Sequence, residues 1–441
     1  MSFFKQSSSL PRLKPLSLKR PSIVTVLDIG SSKTVCLIGR LTPLASAEVL
    51  SQRTHKVDII GIGHQKSRGI KAGVIMDLEK VESSIRLAVE AAERMAGVTV
   101  DSLIVNVSGG RLKSEVYTAA VDLGGHEISQ SDISNVVNLV TQRTLSHERS
   151  ILHSLPTSYA LDGERGINDP EGMFGDKLGV DLHVLSGDRS PLKNLELCIN
   201  RAHLTVEAMV ATPYASGLAS IVADEAEMGC AAVDLGGGTT TISVFNEGKF
   251  IHADAIALGG HHVTMDLARG LTTKFEDAER IKVMHGSSLP SACEDRDMIS
   301  IPPIGDGSND HSAQVSKAMV AKIVRARVEE TLELVRDRIQ QSGYASIVGK
   351  RIVLTGGASQ LTGLSETARR ILARSVRIGR PLGVSGLPAA VKGPAFSAAV
   401  GLMIYPQVAD FEAHASHSYM SAASGAGGRL ARVGHWLKES F

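Results

Sequence analysis

Ala231-Ala232-Val233-Asp234-Leu235-Gly236-Gly237-Gly238-Thr239-Thr240-Thr241 repeats a plan first met roughly two hundred residues earlier, in Val24-Thr25-Val26-Leu27-Asp28-Ile29-Gly30-Ser31-Ser32-Lys33-Thr34. In each stretch an apolar run ends at an Asp and passes through Gly and small hydroxyl residues. Alternating apolar positions follow, Ile242 and Val244 in one case and Val35 and Leu37 in the other. The pattern predicts two β-hairpins whose tips carry a carboxylate and exposed backbone N–H groups. Such tips suit phosphate, because Gly lets backbone approach a ligand and successive N–H groups form an anion nest. Two facing tips would clamp one nucleotide between two halves of a molecule. A third Gly turn, Leu354-Thr355-Gly356-Gly357, follows another buried-type strand and strengthens that reading.

The candidate phosphate contacts are Gly30, Ser31 and Ser32 in the first turn, and Gly236, Gly237, Gly238, Thr239 and Thr240 in the second. Asp28 and Asp234 stand where strands end, so their carboxylates are placed for Mg²⁺. Contact through water is expected, because Mg²⁺ gives up its hydration reluctantly. Lys33 either neutralises phosphate charge or lies on the solvated face of its hairpin. Glu279 and Lys282 are three apart and share one helical face; taken alone they read as a surface ion pair.

Composition narrows the class. At 441 residues the chain is long for one core and suggests two or more domains. A formal charge of +1, with no interleaving of basic and aromatic residues, gives no reason to expect nucleic acid. The four cysteines, Cys36, Cys198, Cys230 and Cys293, show no CxxC spacing and read as buried thiols of a reduced, cytoplasmic protein. The fifteen His show no metal pattern; the adjacent His261 and His262 would point to different faces of any regular element. No apolar run approaches the eighteen or so residues that span a bilayer. Residues 1–21, basic and Ser-containing without an apolar core, read as a disordered tail and not a signal peptide.

Periodicity predicts a three-stranded meander over 23–29, 34–40 and 57–63. A helix follows from Asp77, as N-cap, to a stop at Gly97. Residues 101–180 differ in texture: strands at 102–107 and 116–121, a helix from Ser129 to about Thr144, and a Gly/Asp/Pro-rich loop over Asp162–Lys177. They read as an inserted subdomain. A second meander starts at Cys230, helices follow at Val263–Leu271 and Phe275–His285, and a strongly amphipathic helix spans about 317–342. A small-residue helix at 394–405 would pack closely, and 407–428 is an Ala/Ser/His/Gly linker.

Together these elements resemble the actin-like ATPase superfamily over nearly all of residues 22–406. The resemblance implies an α/β, ribonuclease H-like duplicated, two-lobed ATPase fold. It makes 28–34 and 234–241 the phosphate turns and 354–359 the adenosine turn, with Gly356, Gly357 and Ala358 as contacts. It also moves Glu279 and Lys282 from a surface pair to the flank of adenosine, with ATP and Mg as the ligands. Within the superfamily, Leu152-His153-Ser154-Leu155-Pro156, Gly166-Ile167-Asn168-Asp169-Pro170-Glu171-Gly172-Met173, and Gly259-Gly260 with Val263-Thr264-Met265-Asp266-Leu267-Ala268 resemble the FtsA family of bacterial cell-division proteins. That implies subdomain 1A at 22–100, 181–212 and 387–406, an inserted subdomain 1C at 101–180, 2A at 213–264 and 346–386, and 2B at 265–345.

The same resemblance implies self-association into filaments and binding of the C-terminal peptide of the tubulin-like FtsZ on 2B, with Lys322–Glu330 as candidate surface. It further implies recruitment of later division proteins, with 1C as a candidate surface, at the cytoplasmic face of the inner membrane at the division site. One departure is Thr212-Pro213, where the family often has Glu-Pro. A carboxylate or amide near here helps position attacking water in several superfamily members. ATP binding is therefore expected with weak hydrolysis at most, and no catalytic residue is assigned.

At the C-terminus, Leu430, Val433, Leu437 and Phe441 fall on one helical face, Trp436 and Lys438 flank it, Arg429 adds a further cation, and Arg432, His435 and Glu439 lie opposite. An apolar face with Trp and Phe plus flanking cations fits an amphipathic helix lying in the headgroups of an anionic membrane. The preceding linker argues against docking on the protein's own core. The rival readings are an actin-like component of a pilus or secretion machine and a small-molecule kinase of the same fold.

Overall fold

The computed structural model describes residues 10–11, 13–45, 53–144, 148–289, 296–302, 313–409 and 412. The C-terminal segment 429–441, most of the linker, Cys293 and most of residues 1–12 lie outside them.

From the N-terminus, β1 (Ser22–Ile29), β2 (Lys33–Pro43) and β3 (His55–Lys66) form the expected meander. The two-residue strands β4 (Ile70–Lys71) and β5 (Val74–Ile75) lead into α1 (Leu78–Ala96). Asp77 caps α1 by accepting a bond from the Lys80 N–H, and Gly97 ends it in the left-handed region. β6 (Ser102–Val107) follows.

A separate compact unit covers Ser114–Ser186. It consists of most of β7 (Lys113–Asp122) and β10 (Lys177–Asp188), with α2 (Gln130–Thr144), β8 (Arg149–Leu161) and β9 (Glu164–Ile167) between them. Its sheet order is β7-β10-β8-β9, and one face closes over Ile133, Val136, Val137 and Val140 of α2. This differs from the insertion expected over 101–180, because β6 does not belong to it. Leu103–Val107 is a continuous run buried on both faces, as a central parallel strand requires, whereas β7 is largely exposed. The loop expected over Asp162–Lys177 also holds β9, paired with the end of β8.

The chain then continues through α3 (Arg189–Arg201), β11 (Thr205–Ala211), α4 (Thr212–Ser220), α5 (Ala223–Met228), β12 (Cys230–Leu235), β13 (Thr240–Asn246) and β14 (Lys249–Ile256). Next come α6 (Gly260–Gly270), α7 (Phe275–His285), the hairpin β15 (Met298–Ile301) and β16 (Ala313–Ser316), and α8 (Lys317–Gln341). β17 (Arg351–Thr355), α9 (Leu364–Leu372), β18 (Ser375–Ile378) and α10 (Ser397–Ile404) complete it.

Two five-stranded sheets result, β11-β6-β1-β2-β3 and β14-β13-β12-β17-β18. Reversing the second gives β18-β17-β12-β13-β14, so the two share one topology: an antiparallel meander whose first strand continues into two parallel strands. The register agrees too. Asp28 pairs with Val35 and Ile29 with Thr34; Asp234 pairs with Thr241 and Leu235 with Thr240. The duplication read in the two turns is thus a duplication of whole sheets, here called lobe I and lobe II. The lobe II core includes the buried stripe of α8, Val320, Val324, Val328, Leu332, Val335 and Ile339, at helical spacing. Lobe I meets lobe II where α10 crosses α4. The crossing is close: a Cβ on Gly401 would stand 1.7 Å from the Ala215 carbonyl oxygen.

Candidate functional site

The hairpin tips are built alike. In β1–β2 the Gly30 N–H donates to the Lys33 carbonyl at 2.9 Å, and in β12–β13 the Gly236 N–H donates to the Thr239 carbonyl at 2.9 Å. The second tip is also held from outside: the N–H groups of Gly260 and His261, at the start of α6, donate to the carbonyls of Gly236 and Gly237 at 2.9 and 2.8 Å. The first amides of α6 therefore serve the turn. The Thr240 hydroxyl braces the same loop by donating to the Leu258 carbonyl at 2.9 Å.

The tips touch. A Cβ on Gly237 would fall 2.1 Å from Ser32 Oγ, and one on Gly238 would fall 2.4 Å from Ser31 Oγ. Beside them opens a cavity of about 400 Å³, within the usual range for a small-molecule site. Ser32, Gly236, Gly237, Gly259, Gly260 and Gly357 line it with backbone and hydroxyl; Val283, Val328, Leu332, Leu361 and Leu364 supply apolar surface. Glu279 and Lys282 line it as well, joined at 2.7 Å, and both reach the Thr264 hydroxyl of α6. Lys282 also donates to the Gly260 carbonyl at 3.2 Å. Burial opposes the Glu279 charge, but the bonds from Lys282 and Thr264 prevail and hold its carboxyl below the usual range.

Of the sequence-selected residues, Ser32, Gly236, Gly237, Glu279, Lys282, Gly357 and Ala358 line the cavity. Gly30, Ser31, Gly238, Thr239, Thr240 and Gly356 belong to the turns without lining it. Asp28 and Asp234 are buried, and Lys33 half-buried, next to the turns: a Cβ on Gly356 would meet Asp234 Oδ1 at 2.2 Å, which shows how tightly the third turn packs on this carboxylate. Gly356 has φ of 84°, a second reason for glycine here. Burial pushes the Asp28 carboxyl up to about 6, against the pull of Lys33. Asp234 is pushed up to about 7 by burial and then by the charge of Asp28. Lys33 is partly buried; its ammonium donates to the Ala395 carbonyl and sits 3.5 Å from the Phe396 ring centroid.

Thr212 opens α4, and its hydroxyl is already engaged, 2.7 Å from Ser108 Oγ and 3.1 Å from Asn106 Nδ2. The Asn106 amide oxygen accepts from the Ile29 N–H at 2.7 Å, fixing the end of β1. Asn106, Ser108 and Thr212 thus form a polar brace at the start of α4. Sequence reasoning did not select Gly259, Gly260, His261, Gln360, Thr362 or Thr331 for this cavity. The Gly259-Gly260 pair was a usable signal; Thr331 had none, being one position on a long helix.

A family model described as "Cell division protein FtsA" matches residues 231–401, and one described as "SHS2 domain inserted in FTSA" matches residues 109–186. The cell division protein FtsA of Agrobacterium fabrum is 69% identical over 443 aligned residues, covering 100% of both chains. The chain belongs to the FtsA family. Among solved structures, a chain of the PilM-PilN type IV pilus biogenesis complex aligns with a TM-score of 0.60 at 14% identity, covering 87% of this chain and 98% of that one. MreB5 of Spiroplasma citri, bound to ADP, aligns with a TM-score of 0.52 at 12% identity, covering 89% and 98%. These two show the actin-like fold, so this FtsA-family chain joins duplicated actin-like lobes to the family's inserted SHS2 domain.

Proposed function

We propose that this chain is an ATP-binding division protein that polymerises on the inner face of the cytoplasmic membrane, anchors the FtsZ ring to it and helps recruit later division proteins. One observation carries the nucleotide part: equivalent Asp-Gly turns from two lobes meet beside a cavity of about 400 Å³ that runs from exposed backbone to apolar side chains. The phosphates would lie at Ser32, Gly236 and Gly237, and adenosine between Glu279, Lys282 and the turn at Gly357 and Ala358. The ADP bound to MreB5, a protein of the same fold, supports a nucleotide as the ligand. Mg²⁺ fits the donor set, since two buried carboxylates whose ionisation is suppressed lack a full countercharge. Asp28 and Asp234 would hold it through water, where it would neutralise phosphate. With Thr212 engaged in its own brace, ATP acts as a ligand that joins the lobes and shifts assembly.

The two lobes supply subdomains 1A and 2A, the insert is 1C, and 265–345 is 2B. The FtsZ C-terminal peptide would dock on 2B near Lys322–Glu330 of α8. Residues 429–441 would bind the anionic bilayer through the amphipathic pattern of their sequence. Burial of Leu430, Val433, Trp436, Leu437 and Phe441 contributes several kcal/mol at about 25 cal/mol per Å², partly offset by helix ordering. One copy therefore binds weakly, and assembly strengthens binding through multivalency.

Liposome sedimentation with Mg-ATP tests the tether: full-length protein pellets with anionic vesicles and a chain lacking residues 429–441 stays in the supernatant. Equal pelleting of both would overturn it. The likeness to the pilus complex favours a second reading, an actin-like pilus component. The full-length match at 69% identity weighs against that.

A further inference from the structure

His261 is the least expected group in the cleft. It occupies the first turn of α6 in lobe II, lines the cavity, and lies 2.9 Å from Ser32 Oγ in the lobe I turn through its Nε2. These residues are 229 apart in sequence, so the bond clasps one lobe to the other. Its backbone N–H is already engaged with the Gly237 carbonyl, which leaves the ring as the mobile donor or acceptor at this point. The ring is steadied from behind by Phe275, edge-on at 5.7 Å between centroids.

The clasp stands where phosphate would enter. The position of a Cβ on Gly237 is 2.1 Å from Ser32 Oγ and 3.4 Å from His261 Nε2, so no phosphate oxygen fits between the tips as they are. A phosphate chain must part them and break the Ser32–His261 bond. An imidazole that loses its hydroxyl partner in a partly buried cleft then needs another partner, and a phosphate oxygen is the one delivered.

We infer that His261 is a specificity-determining residue for the nucleotide. It surrenders Ser32 on binding and takes the terminal phosphate, so that it distinguishes nucleoside triphosphate from diphosphate. This inference rests on the nucleotide reading above. Its chemistry is exchange of one hydrogen bond for another, with no covalent step. Neither residue flanks the two carboxylates assigned to Mg²⁺.

The test is calorimetric titration of the full chain with Mg-ATP and, separately, Mg-ADP, for the unaltered protein, His261→Ala and His261→Gln. The expected result is a loss of ATP affinity of about 5- to 20-fold in His261→Ala, typical of one charge-assisted hydrogen bond, with ADP affinity within about twofold. Gln can bond both Ser32 and phosphate, and should restore most of the loss. Thermal melts of each variant without nucleotide control for misfolding, and the comparison is made between variants that melt as the unaltered protein does. Equal losses for ATP and ADP, or tighter binding of both, would overturn the inference; tighter binding of both would mean that His261 is only a latch. Absence of nucleotide binding by the unaltered protein would instead sink the nucleotide reading itself.

Discussion

Asp28 and Asp234 are two acids whose ionisation burial opposes, Asp234 further through the charge of Asp28, and this has a measurable cost. A carboxyl raised from 3.8 to about 7 binds more protons folded than unfolded between those values. Without ligand, stability from this group is fullest below about pH 4 and declines as pH rises toward 7. Asp234→Asn removes the ionisation. It should raise the melting temperature of nucleotide-free protein at pH 7–8, by an equivalent on the order of 2 kcal/mol, and flatten its fall between about pH 4 and 7. The same variant should lose Mg-ATP affinity at least tenfold. Thermal melts across pH and a nucleotide titration check both; a variant no more stable than its parent at pH 8 would contradict the burial argument. The sequence named both acids because each ends an apolar run at a Gly turn. It did not name the effect of Asp28 on Asp234, since proximity across two lobes is not written in either stretch.

The elements were legible where periodicity was long or buried runs were bounded by turns. Asp77, Gly97, the two meanders and α8 all follow from local pattern. The misplaced start of the insert has a physical cause: β6 and β7 are consecutive strands, and only pairing with β1 and β11 assigns β6 to lobe I. The small-residue helix expected at 394–405 proved shorter, Ser397–Ile404 after a 3₁₀ turn over Pro394–Phe396, as Pro394 suits the start of a helical turn. Its small residues do serve close packing. Gly401→Val should destabilise the chain by about 2 kcal/mol or more, because the added side chain drives α10 off the Ala215 carbonyl of α4. Denaturant melts measure this, and an unchanged midpoint would mean that the crossing is loose.

At the scale of the molecule, one chain carries duplicated lobes that share a cavity, and an insert with a core of its own. Ligand held by both lobes should stabilise them together, by about 2.7 kcal/mol at a hundredfold excess over Kd. Amide hydrogen exchange should therefore slow across both five-stranded sheets on adding Mg-ATP, and remain unchanged over β7, β8, β9 and β10. Slowing confined to one lobe would contradict a shared site. By itself the sequence determined the duplication, the Asp-Gly turns, the Glu279–Lys282 pair and the amphipathic pattern of 429–441, because each is a local pattern that repeats or holds a helical spacing. Only the tertiary structure decided that the tips touch, that Thr212 is engaged by Asn106 and Ser108, and that His261 reaches Ser32. These facts depend on bringing side by side residues that stand 77 apart at Ile29 and Asn106, and 229 apart at Ser32 and His261. No local propensity encodes such a separation.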